Sequence, residues 1–335
     1  MKALEYSTGL TLPDQRVAVC GDWHGNVTWA RTIARALPRL ASDVTTLFHL
    51  GDWWMPAAVT DEAFADTNVD RIYVTLGNHE PWNQIAPLLG KHPGEAVRVS
   101  KLIWLLPRPA RLSVGGRTVL SLGGAVSVDR ESRVEGRTWW PDEVITEEHV
   151  ATAIAGGPAD LMLTHESPAK TPVRPVREVL RTNPQGFPTA ALEASATSRA
   201  RIGEVWDGVR PTLLAHGHMH APGGGRTDDG RRVASLGRDG QEGNLGILDM
   251  KTLRMATPSL ATIRGLAERP EDDDLARVGR INGVAEALHS GILDGKRPSP
   301  AAVRDGWDYI EGRRTLDEII EDVVRRHTRR PEQGS

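Results

Sequence analysis

The sequence predicts an α/β fold in which two sheets pack face to face with helices outside, followed by a small helical region. Three observations predict this arrangement. Short apolar segments, each ending in glycine, an acid or histidine, alternate with helix-like segments through most of the chain. Two series of shorter strand-like segments lie at 97–123 and 231–256. Beyond residue 265 the pattern becomes helical.

The alternating part begins with apolar segments that are short enough for strands buried on both faces. Five strands are predicted, at 16–22 (RVAVCGD), 45–52 (TTLFHLGD), 71–80 (RIYVTLGNHE), 159–166 (ADLMLTHE) and 211–220 (PTLLAHGHMH). Helices are predicted between them at 27–37, 58–66, 82–89, 147–155 and 187–207. This alternation is typical of a largely parallel sheet, where ligand-binding groups gather at the strand ends.

The two series of shorter segments predict antiparallel strands joined by hairpins. In the first series, Gly115-Gly116 in SVGGRTV is a typical hairpin turn. Together with the five longer strands, these segments provide enough strands for a second sheet.

The last part of the chain predicts three helices, at about 273–290, 300–311 and 316–328. Apolar residues recur at helical spacing at Ile281, Val284, Ala285 and Leu288, and at Leu316, Ile319, Ile320 and Val323. Ser299 before Pro300 is a typical N-cap, and Thr315 with Glu318 forms a capping box. We therefore expect a large domain over 1–264 and a small helical domain over 265–335.

Composition excludes several classes of protein. A net charge of −3 over 335 residues argues against general nucleic-acid binding or binding to a membrane surface. The single cysteine, Cys20, excludes a disulfide within the chain and suits a reducing cytoplasm. No apolar run approaches the length of a membrane span, and the N-terminus has no secretory apolar region. The expected location is cytoplasmic.

Polar residues follow the ends of the five predicted strands, and they are Asp22, His24, Asp52, Asn78, His79, His165, His218 and His220. Residues i and i+2 of an extended segment point the same way, so Asp22 and His24 can bind one ion. Oxygen and imidazole donors without a thiolate suit divalent manganese, iron or zinc. Even seven of these eight donors exceed the three or four ligands of one catalytic zinc, which favours two metals sharing the carboxylate of Asp52.

Five motifs occur in a fixed order over residues 15–250: GDWHGN, GDWW, GNHE, THESP and GHMH. Together they resemble the signature blocks of the calcineurin-like metallophosphoesterases, and the resemblance implies their two-sheet α/β/β/α sandwich. By resemblance, Asp22, His24 and His220 hold one metal with the bridging Asp52, whereas Asn78, His165 and His218 hold the other with the same Asp52. His79 resembles the catalytic histidine and is not a ligand. Met55 stands where the family often has an acid that binds no metal.

The resemblance implies hydrolysis of a phosphomonoester or a phosphodiester. Two cations, manganese or alternatively iron or zinc, would hold a hydroxide between them and neutralise the transition state, with Asp52 and His79 as the catalytic residues. His79 would protonate or stabilise the leaving alkoxide. The expected substrate is a phosphorylated small molecule, a nucleotide or a phosphoprotein.

The segment 123–145 is rich in arginine and contains Trp139-Trp140. One interpretation is a loop over the site, in which Arg130, Arg133 or Arg137 meets phosphate oxygens and one tryptophan stacks on a base or sugar. The candidate tryptophans are Trp139 and Trp140. The alternative is a surface loop with one tryptophan packed into the core.

The C-terminal helical region contains DGKRPSP and YIEGRRTLDE, and it resembles the VbhA-type antitoxin domains that inhibit Fic adenylyltransferases. Ser290 to Gly295 reads S-x-x-x-D-G, with Asp294 where that family has glutamate. The resemblance implies a protein partner. The alternatives are an appendage that docks on the large domain or mediates self-association. A second hypothesis for the whole chain is therefore a binding or regulatory protein whose metal domain is a scaffold.

Overall fold

The computed structural model describes residues 1–268, 280, 281, 284 and 298–328. The chain divides into two compact units, Met1–Ala267 and Glu268–Ser335. The first unit has the predicted α/β class and contains two mixed sheets.

The strands of the first sheet are β1 (Glu5–Ser7), β3 (Arg16–Cys20), β4 (Thr46–His49), β5 (Arg71–Val74), β6 (Ala96–Arg98), β7 (Ile103–Leu105), β14 (Leu245–Asp249) and β15 (Arg254–Ala256). Their spatial order is β1-β6-β7-β5-β4-β3-β14-β15. The inner strands β3, β4, β5 and β7 pair in parallel. The carboxyl ends of these strands therefore share one edge of the sheet.

The strands of the second sheet are β2 (Thr11–Leu12), β8 (Ala110–Val114), β9 (Arg117–Leu122), β10 (Leu161–Thr164), β11 (Leu213–His216), β12 (Gly223–Arg226) and β13 (Arg232–Ser235). Their order is β12-β13-β11-β10-β9-β8-β2. The run β9, β10, β11 and β13 is parallel, with Thr164 opposite His216.

The helices of this unit are α1 (Val27–Leu40), α2 (Ala57–Ala63), α3 (Trp82–Leu89), α4 (Glu147–Ala155), α5 (Arg174–Thr182), α6 (Thr189–Val209) and α7 (Leu260–Ala267). The alternation of side chains along a strand separates the core into layers. In β3, Val17 and Val19 pack between the sheets, whereas Ala18 packs towards the helices. In β10, Leu163 packs between the sheets and Met162 lies in the outer cluster with α6. This is the predicted α/β/β/α sandwich.

The hairpin prediction is right for β8 and β9 in the first series and for β14 and β15 in the second, which pair antiparallel, but it is wrong for β13. β8 and β9 form an antiparallel hairpin whose turn is Gly115-Gly116, both with positive φ. The series at 231–256 is divided between the sheets, because β13 pairs in parallel with β11 whereas β14 pairs antiparallel with β3. A short apolar strand can pair in either direction, so its own pattern does not select its partner.

Two helices of the first unit were not predicted. α5 has nine residues and three arginines, and only Val176, Val179 and Leu180 mark an apolar face. α7 packs against α1 and buries Ile263. Neither segment is long enough to show a sustained helical period, so the sequence does not predict these helices. Packing against neighbouring elements stabilises both of them.

The second unit contains α8 (Pro300–Ile310) and α9 (Leu316–Thr328), close to two of the three predicted helices. The predicted caps are confirmed. Ser299 Oγ accepts a hydrogen bond from Ala302 N, and Thr315 and Glu318 bond each other's backbone amides. Apart from 280, 281 and 284, the helix predicted at 273–290 lies outside the described residues, as does the motif containing Asp294.

Among the described residues, no helix is both long enough and apolar enough to cross a membrane.

Candidate metal centre

The predicted metal ligands and His79 lie on the five loops that follow β3, β4, β5, β10 and β11. The first three loops leave the first sheet, and the last two leave the second sheet. They meet at one edge of the sandwich. His165 of the second sheet has its Nε2 atom 3.3 Å from Asp52 Oδ1 of the first sheet. Side chains far apart in the sequence therefore converge because both sheets end at this edge.

The backbone at these strand ends turns back sharply. Six non-glycine residues adopt positive φ, and they are Asp22 (33°), His24 (46°), Asp52 (54°), Trp54 (41°), His218 (64°) and His220 (49°). Such conformations cost energy and cluster at functional sites. Gly217 lies where a Cβ would come within 2.8 Å of the Asp22 carboxylate. Glycine at this position lets the backbone approach the site closely.

Asp52, Asn78, His165 and His218 form the tighter half of the site. One ligand atom from each of Asp52, His165 and His218 lies within 4.8 Å of the others. Asn78 Oδ1 is 2.9 Å from His165 Nε2. His165 Nδ1–H donates to Leu50 O at 2.6 Å, which leaves Nε2 as the free nitrogen facing Asp52 and Asn78. Once Nε2 loses its own proton, it can present its lone pair to a cation.

Asp22, His24 and His220 form the looser half. His24 Nε2 is 3.5 Å from Asp52 Oδ2, and His220 Nε2 is 3.9 Å from Asp22 Oδ2. The rings of His24 and His220 have centroids 4.9 Å apart. The carboxylate of Asp52 thus faces His24 with one oxygen and His165 with the other, as a residue shared by two cations would.

The buried charged groups of the site shift one another's pKa values. Burial alone disfavours every charged form, and it raises the pKa of Asp22 to about 7. It also opposes ionisation of Asp52, but His165 and His79 outweigh it and hold the pKa of Asp52 well below its usual value. Burial opposes the charged forms of His24 and His165, yet neighbouring aspartates raise their pKa values to about 9 and about 10. Positive charge therefore stabilises this cluster of buried carboxylates.

His79 lies beside this cluster, and its backbone N–H donates to Asp52 Oδ1 at 2.8 Å. Its ring lies 5.7 Å from the ring of His24 and against the guanidinium of Arg133. Burial lowers the pKa of His79, with Arg133 lowering it further and Asp52 opposing the change. Arg133 also donates to Asp129 Oδ2 at 2.9 Å. The segment 123–145 therefore reaches the site through Arg133.

The other predicted substrate-binding residues take different positions. Trp139 is buried, and the guanidinium of the exposed Arg130 covers its ring at 3.8 Å. Trp140 is half-buried and packs against the core of the first sheet. These positions favour packing over stacking on a substrate for the two tryptophans, as in the alternative interpretation, whereas the position of Arg133 agrees with the first interpretation.

Several side chains that the sequence analysis did not select hold the predicted ligands in place. Ser127 Oγ accepts from Asn78 Nδ2 at 3.0 Å and donates to the buried Glu143 Oε2 at 2.7 Å. Asp239 Oδ1 lies 3.3 Å from His24 Nδ1. Such partners fix the orientation of a metal ligand. Among these three supporting residues, only Asp239 has a sequence context that indicates a site residue, since it follows a strand and a glycine in SLGRDG.

The buried Glu80 of the GNHE motif joins two of the loops. Its carboxylate accepts hydrogen bonds from the backbone amides of Trp53 at 3.1 Å, Trp54 at 3.2 Å and Gly77 at 3.3 Å. Burial raises the pKa of Glu80, although these amides oppose the shift. The loop that carries Asp52 is thereby tied to the loop that carries Asn78 and His79.

Asn244 joins the first loop to the core. Its Oδ1 accepts from the indole N–H groups of Trp23 at 3.2 Å and Trp29 at 2.6 Å. Its Nδ2 donates to the carbonyls of Gly21 and Gly237 at 2.5 and 2.8 Å. We expect N244A to lower the free energy of unfolding by about 3–5 kcal/mol, because four buried polar groups lose their partner.

Urea denaturation measures this change in stability. The matched control is N68A, which removes an exposed amide bonded to Ser42 O and should cost less than about 1 kcal/mol. Equal effects of the two substitutions would contradict the structural role of Asn244.

Comparison with known families decides the classification. The sequence model of the family described as calcineurin-like phosphoesterase matches residues 15–222, which is more than half of the chain. The chain belongs to the calcineurin-like phosphoesterase family. A second family model, described as Antitoxin VbhA, matches residues 280–326. The search among curated proteins found no significant match.

Solved structures with similar folds include other phosphoesterases. A dimetal phosphatase from Danio rerio is 12% identical, with 74% of this chain and 97% of that chain covered and a TM-score of 0.49. The protein TT1561 of Thermus thermophilus is 12% identical, with coverage of 73% and 99% and a TM-score of 0.45. A 5'-nucleotidase from Candida albicans is 12% identical, with coverage of 80% and 56% and a TM-score of 0.42.

The donor set of this calcineurin-like phosphoesterase fits divalent cations. It combines buried carboxylates, imidazoles and one amide, and the single thiol, Cys20, is buried in the core of the first sheet. Asp52, His165 and His218 have ligand atoms close enough to bind one ion, and His24 extends the group on the other side of Asp52. Oxygen and nitrogen donors of this kind suit manganese, iron or zinc.

Proposed function

We propose that this chain hydrolyses phosphomonoesters or phosphodiesters with two divalent metal ions. Asp22, His24 and His220 would hold one ion, and Asn78, His165 and His218 the other, with Asp52 shared. The observation that carries the proposal is the position of Asp52, whose two carboxylate oxygens face His24 at 3.5 Å and His165 at 3.3 Å. When bound, the two ions supply Lewis-acid charge that activates water and neutralises phosphoryl oxygens.

The residues of the chain have distinct roles in this proposal. Asp52 positions the shared charge, and His79 reaches over the site with a ring N–H that can be donated to the leaving-group oxygen. Arg133, which lies against His79 and is only 8% exposed, would neutralise a phosphoryl oxygen while Asp129 holds it in place. Ser127 keeps Asn78 oriented through its amide nitrogen.

A metal titration combined with a substrate test examines this function. The full chain, freed of metal with a chelator, is titrated with manganese, iron(II) or zinc and assayed with p-nitrophenyl phosphate and bis-p-nitrophenyl phosphate. We expect hydrolysis to disappear on chelation and to return as two ions bind. A folded protein that binds no divalent ion, or that hydrolyses equally well in chelator, would contradict the proposal.

A second function is favoured by the match of the Antitoxin VbhA model to residues 280–326. We propose that the C-terminal unit binds a protein of the Fic adenylyltransferase type. Its described helices carry exposed apolar side chains suited to a protein interface, with Trp307 and Ile320 each at least half exposed. Asp294 lies outside the described residues, so the proposal concerns binding of the partner protein and not how strongly the partner is inhibited.

The test of this second function uses the full chain. Size-exclusion chromatography with a Fic adenylyltransferase should give a stoichiometric complex that D52N retains and W307D weakens by at least about tenfold. The control is E311Q, which removes the charge of an exposed residue directly after the same helix. A complex that W307D leaves unchanged, or no complex at all, would count against this binding role.

A further inference from the structure

A cavity of about 300 Å³ opens beside the predicted metal ligands, and its two halves differ in chemistry. The polar half is formed by His24, Asp52, Asn78, His79, His218 and His220. The other half is mostly apolar and is formed by Val128, Val179, Leu180, Phe187, Leu192 and Met219. A molecule bound with its phosphoryl group at the metal site would therefore place its remaining atoms against an apolar wall.

Four of the six apolar residues come from one segment of the chain, and they are Val179, Leu180, Phe187 and Leu192. α5, α6 and the connection between them lie between β10 and β11, the strands that precede His165 and His218. Val176, Val179 and Leu180 occur at i, i+3 and i+4 on α5, so one helix face both packs on the core and lines the cavity. The wall is therefore anchored to the same strands that position the metal ligands.

Few polar groups in this half are available to a ligand. The Asn183 amide is already engaged, since Oδ1 accepts from Phe187 N at 2.9 Å and Nδ2 donates to Phe187 O at 3.0 Å. Asp129 is paired with Arg133. Ser195 and Gln185 are the remaining polar lining residues. A charged or hydroxyl-rich group placed here would lose water without gaining enough partners.

We propose that this cavity binds the alcohol part of the substrate, and that the substrate is a phosphoester of an apolar aliphatic or aromatic alcohol. Sugar phosphates and charged phosphopeptides would be poor substrates, because their polar groups would lose water in the apolar half of the cavity without gaining enough partners. The proposal rests on the phosphoesterase function proposed above and specifies which esters the site selects.

A series of n-alkyl phosphates from ethyl to hexyl, as monoesters and as methyl diesters, tests this selection in the metal-loaded full chain. The basicity of the leaving alcohol changes little along the series, so the rates report contact with the cavity. We expect kcat/KM to rise by about fourfold for each added methylene until the cavity is full. Calorimetry with n-alkyl phosphonates should show the same dependence in Kd, without any reaction.

Two glutamine substitutions on α6 distinguish an effect on the cavity wall from a general effect on the helix. L192Q places a polar group in the apolar wall and should lower the ratio of hexyl to ethyl kcat/KM by about tenfold or more. A194Q adds the same side chain at an exposed position of the helix and should leave that ratio unchanged.

The outcomes distinguish this proposal from the one on which it rests. Hydrolysis rates that do not depend on the length of the alkyl chain would overturn the apolar specificity and leave the phosphoesterase function intact. The same conclusion would follow if L192Q and A194Q had equal ratios of hexyl to ethyl kcat/KM. Absence of hydrolysis of every ester, including the p-nitrophenyl esters, would overturn both.

Discussion

Replacing Asp52 by asparagine should lower kcat/KM by at least about a thousandfold and reduce the metal content of the protein. The carboxylate is 1% exposed and faces His24 on one side and His165 on the other. Asparagine has nearly the same shape, but its nitrogen cannot bind a cation and its charge is zero. Both halves of the site therefore lose their common ligand in one substitution.

Initial rates with both p-nitrophenyl esters and elemental analysis of the purified variant measure these effects. D43N is the matched control, because Asp43 is an exposed carboxylate paired with Arg16 away from the site. Protection of the fully buried Cys20 from thiol reagents shows that each variant is folded. A D52N protein with wild-type rates would defeat the assignment of the shared ligand.

Replacing His79 by glutamine should lower kcat by about a hundredfold to ten-thousandfold without removing metal. The His79 ring lies 5.7 Å from the His24 ring and contacts Arg133, whereas only its backbone amide bonds to Asp52. The proposed role assigns the ring to the substrate rather than to a cation. The loss should be smaller with p-nitrophenyl phosphate than with phenyl phosphate, because the better leaving group needs less help from a proton donor.

The rates of H79Q with the two aryl phosphates and its metal content distinguish a proton donor from a metal ligand. The control is H92Q, since His92 is a half-exposed histidine that packs on Tyr6 away from the site. Loss of metal from H79Q would make His79 a ligand, and an equal loss of rate with both esters would argue against donation to the leaving group.

The convergence of the candidate site residues was largely predictable because these residues share a simple sequence context. Asp22, Asp52 and His165 each follow a short apolar strand, and parallel strands place their carboxyl ends at one edge. The supporting residues were not predictable in the same way. Ser127 and Glu143 lie in an arginine-rich segment that follows a predicted strand, but neither residue stands directly at the strand end. Their role depends on a contact between Ser127 and Asn78, which are 49 residues apart.

The apolar wall of the cavity could not be predicted from the sequence patterns either. α5 is short and carries three arginines, so its apolar face of Val176, Val179 and Leu180 shows only one helical turn. Its helical conformation depends on packing against the second sheet, which is a long-range contact.

By itself, the amino-acid sequence determined the fold class, the order of strands and helices along most of the first unit, the caps of the last two helices, and which side chains could bind a metal. These features depend on local periodicity and on residues within a few positions of one another. The tertiary structure decided which strands share a sheet, how Arg133 and Asp239 meet the site, and that an apolar cavity adjoins it. These features depend on contacts between distant segments, whose partners no local pattern specifies.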